Sequence, residues 1–215
     1  MKNVSVAELR QNYTRAGLSE AEAPHNPMEL FQEWLSQAIA SGILEPNGMT
    51  LATINEFGYP VARMVLLKGF DHRGFVFYTN YNSDKAQQLQ ANLQASLVFW
   101  WSELERQVRI EGKVSKITPA ESDAYFFSRP RGSQLGAWVS NQSQIIASRE
   151  VLEKELEALE IKYQSQKIPR PEHWGGMRLA PVRIEFWQGR PNRLHDRLRY
   201  RLVSGEQWLR ERLAP

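Results

Sequence analysis

The chain has 215 residues, with 27 Lys and Arg against 24 Asp and Glu, no cysteine, 42% apolar and 11% aromatic residues, and a mean hydropathy of −0.51. That apolar share in a chain of this length builds a sizeable core, which excludes wholesale disorder and predicts one domain or at most two small ones. Without cysteine there is no disulfide, thiolate metal site or cysteine nucleophile; no apolar run approaches the roughly 20 residues of a membrane-spanning helix, and no secretory h-region is visible, so the cytoplasm, with no membrane partner, is expected.

Residues 1–26 are polar, with Pro24 near their end, and predict a flexible N-terminal arm ahead of a single domain over 27–215. A helix is predicted from Pro27, with Asn26 as N-cap, Leu30, Phe31, Trp34, Leu35, Ala38 and Ile39 at helical spacing, and a stop at Gly42. Strands are predicted over Met49 to Ile54, Val61 to Lys68 and Phe75 to Thr79, separated by breaks at 55–58 and 71–74 short enough for hairpins. Ser83 caps a short helix to Asn92, and strands return over Ala95 to Trp101 and Gln107 to Ile117. In the second of these Val108, Ile110, Gly112 and Val114 alternate with Gln107, Arg109, Glu111 and Lys113, giving one dry and one wet face. Thr118-Pro119-Ala120-Glu121 reads as a capping box that opens a helix through about Phe127. A further helix is expected from about Ser148 to Gln164, with Val151, Leu152, Leu156, Leu159 and Tyr163 as its buried stripe. The last strands are predicted over Val182 to Gln188, Arg197 to Val203 and Gln207 to Arg212. Six to eight mostly antiparallel strands with peripheral helices predict a mainly β, α+β fold: a small closed or split barrel.

His25, His72, His173 and His195 lack metal-ligand spacing, so no metal site is expected, and GxGxxG, Walker and GxSxG motifs are absent. The net charge of +3 and pI of 9.2 come from no basic run of the kind nucleic acid favours, and no nucleic-acid partner is expected. The arginines gather instead at Arg129 to Arg131 and from Arg190 to Arg201, among aromatic, Gly, Ser and His residues, which suits small anions. In Ile184-Glu185-Phe186-Trp187-Gln188-Gly189-Arg190-Pro191-Asn192-Arg193-Leu194-His195-Asp196-Arg197 an aromatic strand end meets a turn and a dense Arg/His segment. On a strand beginning at Arg193, residues Arg193, His195 and Arg197 would share one side.

That stretch resembles the signature of the pyridoxine (pyridoxamine) 5′-phosphate oxidase family. Arg63-Met64-Val65-Leu66-Leu67-Lys68, Phe77-Tyr78-Thr79-Asn80, Glu105-Arg106-Gln107-Val108, Tyr125-Phe126-Phe127-Ser128-Arg129-Pro130-Arg131, Gln142-Ser143 and Trp174-Gly175-Gly176 stand in the family's order, so the resemblance runs from about Leu9 to Pro215. It implies a homodimeric, antiparallel, FMN-binding split β-barrel with active sites at the subunit interface. The implied reaction oxidises pyridoxine 5′-phosphate or pyridoxamine 5′-phosphate to pyridoxal 5′-phosphate while O2 becomes H2O2. The resemblance assigns Arg63, Met64, Val65, Leu66, Leu67, Lys68, Tyr78, Thr79, Lys85, Gln107, Gln142, Ser143, Trp187 and Arg197 to FMN, with Arg63 and Lys85 at its phosphate.

It assigns Lys68, Tyr125, Arg129 and Ser133 to the substrate phosphate, Arg193, Leu194 and His195 to the pyridine ring, and Arg193 and His195 to catalysis, His195 as hydrogen-bond partner of the ring hydroxyl and candidate proton acceptor. Arg10 and Tyr13 would belong to an arm that closes over the substrate. The residue types agree with those parts, because guanidinium forks, ammonium charge and hydroxyls are what a phosphate dianion requires. Tyr125 and Arg129, four apart, would share a face if the helix from Thr118 continued that far. After Ser83, where the family usually has two basic residues, this chain has Asp84-Lys85; Asp84 is expected to face water in the first helical turn, leaving the FMN phosphate one ligand fewer. Two other readings compete. A flavin reductase on the same barrel would not need Tyr125, Arg129, Ser133, Arg193 and His195, and a non-catalytic binder of pyridoxal phosphate or nucleic acid would purify colourless.

Overall fold

The computed structural model describes residues 12–215. In chain order these form α1 (Pro27–Ala40), β1 (Gly48–Ile54), β2 (Pro60–Leu66), β3 (Gly69–Asp71), β4 (Gly74–Asn80), α2 (Asp84–Ala91), β5 (Gln94–Trp101), β6 (Arg106–Lys116), α3 (Pro119–Ser128), α4 (Arg131–Val139), α5 (Arg149–Lys162), β7 (Trp174–Gln188), β8 (Asp196–Ser204) and β9 (Gln207–Arg212). The strand order is β2-β1-β5-β6-β7-β4-β3, with β8 pairing β7 and β9. No helix among the described residues is long and apolar enough to cross a membrane.

Local chemistry sets the helix starts. The Asn26 side chain accepts from the Met28 amide at 3.0 Å. At α3 the Glu121 amide donates to Thr118 Oγ1 (3.2 Å) and the Thr118 amide to the Glu121 carboxylate (3.0 Å), so the capping box is formed. Ser83 behaves differently from a capping serine. Its hydroxyl donates to the Asn80 carbonyl (2.7 Å), and it makes no side-chain cap bond to α2.

Several expectations are corrected. The strands number nine among the described residues, because a short strand that was not expected, β3, follows the Val61 to Lys68 run, which forms β2 only to Leu66. β7 starts at Trp174, eight residues before the expected Val182, and runs through Pro181. Its ladder with β4 ends at Leu179 and that with β8 begins at Arg183, so the missing proline N–H falls between the two. Helix α4 was not foreseen. In α5, Val151 is exposed, and Leu152, Leu156 and Leu159 are only half-buried.

No strand begins at Arg193, whereas the strand expected from Arg197 is present as β8. Asn192 and Arg193 both adopt left-handed backbone (φ 58° and 62°), β8 begins only at Asp196, and the shared side of Arg193, His195 and Arg197 is therefore lost. Helix α3 reaches Ser128, as expected to within a residue, and does not take in Arg129. Arg129 is extended (φ −73°, ψ 148°) because it precedes Pro130, whose ring disfavours helical backbone in the residue before it.

The chain divides into two compact units: Met1–Met49, Leu97–Glu111 and Val182–Pro215 in one, Thr50–Ser96 and Gly112–Pro181 in the other. In the first, Phe31 packs on Phe99 (ring centroids 5.1 Å apart) and Trp34 on Phe186 (5.2 Å). Full burial of such side chains contributes about 2 kcal/mol each. The period-two alternation sends Ile184, Phe186, Leu198 and Tyr200 into this core and sets Arg183, Glu185 and Trp187 opposite Arg201, Arg199 and Arg197 on the other face. In the second unit β4 pairs β7 with Tyr78 opposite Gly176, and Phe126, Leu135, Ala137, Tyr163, Ile168 and Trp174 form a buried cluster. Arg178 ties β7 to Asp71 (2.6 Å) and to Glu121 of α3 (2.9 Å), holding Asp71 well below the usual carboxylate range through hydrogen bonds from Arg73 and Arg178 that outweigh its desolvation.

Candidate functional site

The second unit holds a cleft of about 300 Å³ lined by Met64, Val65, Leu66, Lys68, Tyr78, Thr79, Lys85, Tyr125, Arg129, Gln142 and Trp174. At one end Lys85 Nζ donates to Gln142 Oε1 (3.2 Å), Thr79 Oγ1 (3.3 Å) and Ser83 Oγ (3.3 Å), all neutral. Arg63 donates to Gln88 Oε1 (2.9 Å), to the carbonyls of Val61 (3.2 Å) and Leu51 (3.4 Å), and to the Thr53 hydroxyl. Among the described residues neither cation has a carboxylate at ion-pair distance. Burial pushes the pKa of both down, and the charge of Arg63 lowers that of Lys85 further. Two like charges held close with neutral partners leave a positive potential that an anion relieves.

Asp84 is exposed at the first position of α2, its amide donating to Ser143 Oγ at 3.2 Å. Its charge reaches both cations and opposes the drop in their pKa values. The expected result for Asp84→Arg is tighter binding of a phosphate-bearing flavin by about five- to tenfold, the scale of one partly screened charge, with riboflavin affinity unchanged; fluorescence titration of both ligands checks it.

At the other end Tyr78 stacks on Tyr125 (3.9 Å) and on Trp174 (5.2 Å). The phenol of Tyr78 is pushed up to about 12, mainly by burial and then by Tyr125, so it stays protonated. Arg129 lies over the Trp174 ring at 4.5 Å. Its NH1 is buried with no hydrogen-bond partner, although a buried guanidinium nitrogen ordinarily has one. Arg129 and Tyr125 are thus brought together by the Trp174 face and not by a shared helix. Ser133 is exposed in the first turn of α4 and does not line the cleft; Leu67 is buried and does not line it either. Gly176, in β7, is where the strand must be bare: a Cβ there would meet Ile117 Cδ1 at 2.3 Å and Tyr78 Cε1 at 3.0 Å.

In the first unit His195 lies against Trp187 (4.6 Å) and Tyr13 (5.8 Å). Its Nδ1 accepts from the Arg190 amide at 3.1 Å. The neutral imidazole so fixed carries its proton on Nε2 and presents a donor, with no lone pair left to take a proton from a substrate. Arg197 donates to Glu185 (2.9 Å) and to the Ala214 carbonyl (2.8 Å), and so is tied into an ion pair with a buried carboxylate. Gln107 is half-buried near the start of β6, and Arg193 and Leu194 are exposed. Arg10 lies outside the described residues. Trp174, quoted in the motif but given no role, is the platform on which the anion end is built; its place beside two glycines was the available signal.

Cations without counter-ions around a ring-lined cleft, on a chiefly β scaffold, define a protein that binds planar, phosphate-bearing ligands, as the flavin-nucleotide split barrels that the resemblance implies do. The comparisons narrow this. The family model described as pyridoxamine 5′-phosphate oxidase matches residues 35–163, and that of the pyridoxine 5′-phosphate oxidase C-terminal dimerisation region matches 174–215. The chain is 63% identical to a pyridoxine/pyridoxamine 5′-phosphate oxidase of Synechocystis over 100% of both chains, and 63% identical to that of Gloeothece citriformis over 98% of this chain and 99% of the relative. Among solved structures, PhzG from Burkholderia lata, in complex with tetrahydrophenazine-1-carboxylic acid, is similar with a TM-score of 0.85 at 31% identity, covering 91% of this chain and 95% of that one. A pyridoxamine 5′-phosphate oxidase-related, FMN binding protein from Nostoc punctiforme shares the fold (TM-score 0.69, 19% identity, 86% and 97% covered). The chain belongs to the pyridoxamine 5′-phosphate oxidase family, whose cofactor is FMN.

Proposed function

We propose that this chain is an FMN-dependent oxidase that converts pyridoxine or pyridoxamine 5′-phosphate to pyridoxal 5′-phosphate, working in the cytoplasm as a homodimer with its active sites at the subunit interface. The observation that carries the reading is the pairing of two cation sets in one unit, Arg63 with Lys85 and Lys68 with Arg129, none of which has a carboxylate at ion-pair distance among the described residues. A reaction with two phosphate-bearing participants needs two such sets.

The residues present fit FMN. Arg63 and Lys85 would hold its phosphate, Thr79, Gln142 and Ser143 its polar tail, the β2 run from Met64 to Lys68 its flank, and Gln107, Trp187 and Arg197 the remainder. FMN would supply the redox chemistry there, the vitamer losing a hydride and a proton at C4′ and O2 being reduced to H2O2 with both. Lys68, Tyr125 and Arg129 grip the substrate phosphate. Arg193 and Leu194 cover the pyridine ring, and Tyr13 closes over it and excludes water. His195 Nε2–H donates to the ring oxygen, orienting C4′.

Burial, and then the charge of Arg193, lower the pKa of His195. Protonation would set an Nδ1–H against the Arg190 N–H, so the productive form is the neutral one. Because the folded state disfavours the charged imidazole, that form persists below the ordinary value of about 6.5. The expected kcat/KM is level above that value and falls on further acidification; His195→Asn, which can still accept from Arg190 and donate onward, lacks this limb. The decisive experiment for the function is anaerobic addition of pyridoxine 5′-phosphate to the purified protein. Bleaching of a yellow preparation, restored by air, is expected; a colourless protein, or no bleaching, overturns the reading and favours the reductase or the non-catalytic binder.

A further inference from the structure

Residues 13–24 run along the first unit as a strap, held at its ends by Glu105, which accepts from the Arg15 amide (3.1 Å), and by Tyr200 and Arg210, which donate to the Pro24 and Ala23 carbonyls, while the bonds at its middle converge on a single carboxylate that the reaction does not use. Asp196, the first residue of β8 and the neighbour of His195, accepts from the Leu18 amide through Oδ2 at 3.1 Å and from Arg212 NH1 through Oδ1 at 2.8 Å. Arg190 Nε lies 3.4 Å from the same Oδ2. Arg212 in turn donates to the Leu18 carbonyl (2.9 Å) and grips the Glu20 carboxylate through Nε (2.7 Å) and NH2 (2.5 Å). Arg190 reaches the Ala16 carbonyl at 3.0 Å, while its backbone amide is the donor to His195 Nδ1. At the far end of the strap Tyr13 sits edge-on to Trp187 (5.7 Å) and against His195. Gly189 lets it in, since a Cβ there would meet Tyr13 Cγ at 2.7 Å.

We propose that Asp196 is a positioning residue: by holding the strap, Arg190 and Arg212 at one point it fixes the Tyr13 ring against His195 and orients the imidazole through the Arg190 backbone. The geometry requires the charge. Asp196 neutralises two guanidinium groups at once, and an amide in its place keeps an acceptor for Leu18 but leaves Arg190 without its carboxylate. Glu20 is the second anchor of Arg212, so its loss releases the strap while leaving the Asp196 contacts to Arg190 in place.

The positioning role rests on the proposed oxidase reading, whereas the strap latch does not, and the test separates them. The Arg15–Ala16 bond lies within the strap, and its cleavage by trypsin reports strap release in the full-length protein without any turnover. In Asp196→Asn, cleavage at this bond is expected to accelerate about tenfold with an unchanged thermal midpoint; Glu20→Gln is expected to accelerate it by a smaller factor. With pyridoxine 5′-phosphate, Asp196→Asn is expected to lower kcat/KM about tenfold and to move the acid limb assigned to His195. In a Tyr13→Ala background the same substitution is expected to add less than threefold. Unchanged cleavage in Asp196→Asn overturns the latch whether or not the protein proves to be an oxidase. Effects of Asp196→Asn and Tyr13→Ala that multiply, with the acid limb unmoved, overturn the positioning role and leave Asp196 a merely structural residue.

Discussion

Arg129→Met is expected to reduce kcat/KM for pyridoxine 5′-phosphate about a thousandfold while the protein still binds FMN. The guanidinium already sits desolvated over Trp174 with NH1 buried and unpartnered, so the free protein bears the cost of burying it and the incoming phosphate recovers it. Two charge-assisted bonds to a dianion are together worth about 4 kcal/mol, which corresponds to about three decades. Methionine keeps the apolar contact with the indole face and removes only the donors. Steady-state kinetics alongside a flavin titration check this. A loss confined to kcat, or a parallel loss of FMN, would place Arg129 somewhere other than on the substrate phosphate.

The second large effect is expected from Lys85→Met, and it carries an opposite sign in two measurements. The ammonium is surrounded by neutral acceptors and repelled by Arg63, so its removal relieves a like-charge contact and leaves the cofactor-free protein at least as stable as before. Its hydroxyl and amide partners can still bond one another, Thr79 Oγ1 lying 3.2 Å from Ser83 Oγ and 3.4 Å from Gln142 Oε1. FMN affinity, by contrast, should fall about a hundredfold, the worth of one charge-assisted contact in a partly buried setting. Riboflavin, which lacks the phosphate, should bind both proteins equally. Thermal unfolding of the cofactor-free variant together with titration of the two flavins checks the pair of signs. Weakened binding of riboflavin would mean that Lys85 serves the ring and not the phosphate.

The two predictions share a physical basis. In each case the folded chain holds cations in places that are unfavourable without an anion, the usual stability concession of a binding site. The ion pairs elsewhere differ in kind. Arg178, with Asp71 and Glu121, is matched inside the chain and needs nothing from outside.

How far the sequence was legible differs from element to element. Helix α1 and the capping box of α3 rest on local rules, a polar cap followed by proline and a helical stripe, and the structure forms both. The alternation along β6 announced its wet and dry faces because side chains on a strand alternate whatever the partner strand is. Where expectation failed, the cause was a neighbour that local rules cannot see. Pro181 looks like a strand boundary until two different ladders are found to end on either side of it. The shared side drawn for Arg193, His195 and Arg197 fails because Arg193 is left-handed, and the shared helical face drawn for Tyr125 and Arg129 fails because Pro130 makes Arg129 extended. The resemblance named the residues around the phosphates, and the structure brings Lys68, Tyr125 and Arg129 into one cleft while leaving Ser133 outside it.

Taken alone, the sequence determined the residue types, the family, and so the cofactor and chemistry to expect, because these follow from motifs that are contiguous in the chain. Only the tertiary structure decided that Arg129 is an unpartnered cation on an indole face, that His195 is a donor at Nε2, and that Asp196 gathers the strap. Each of these depends on a contact between residues far apart in the chain, and the energy of a buried charge or a shared proton is set by what surrounds it in space.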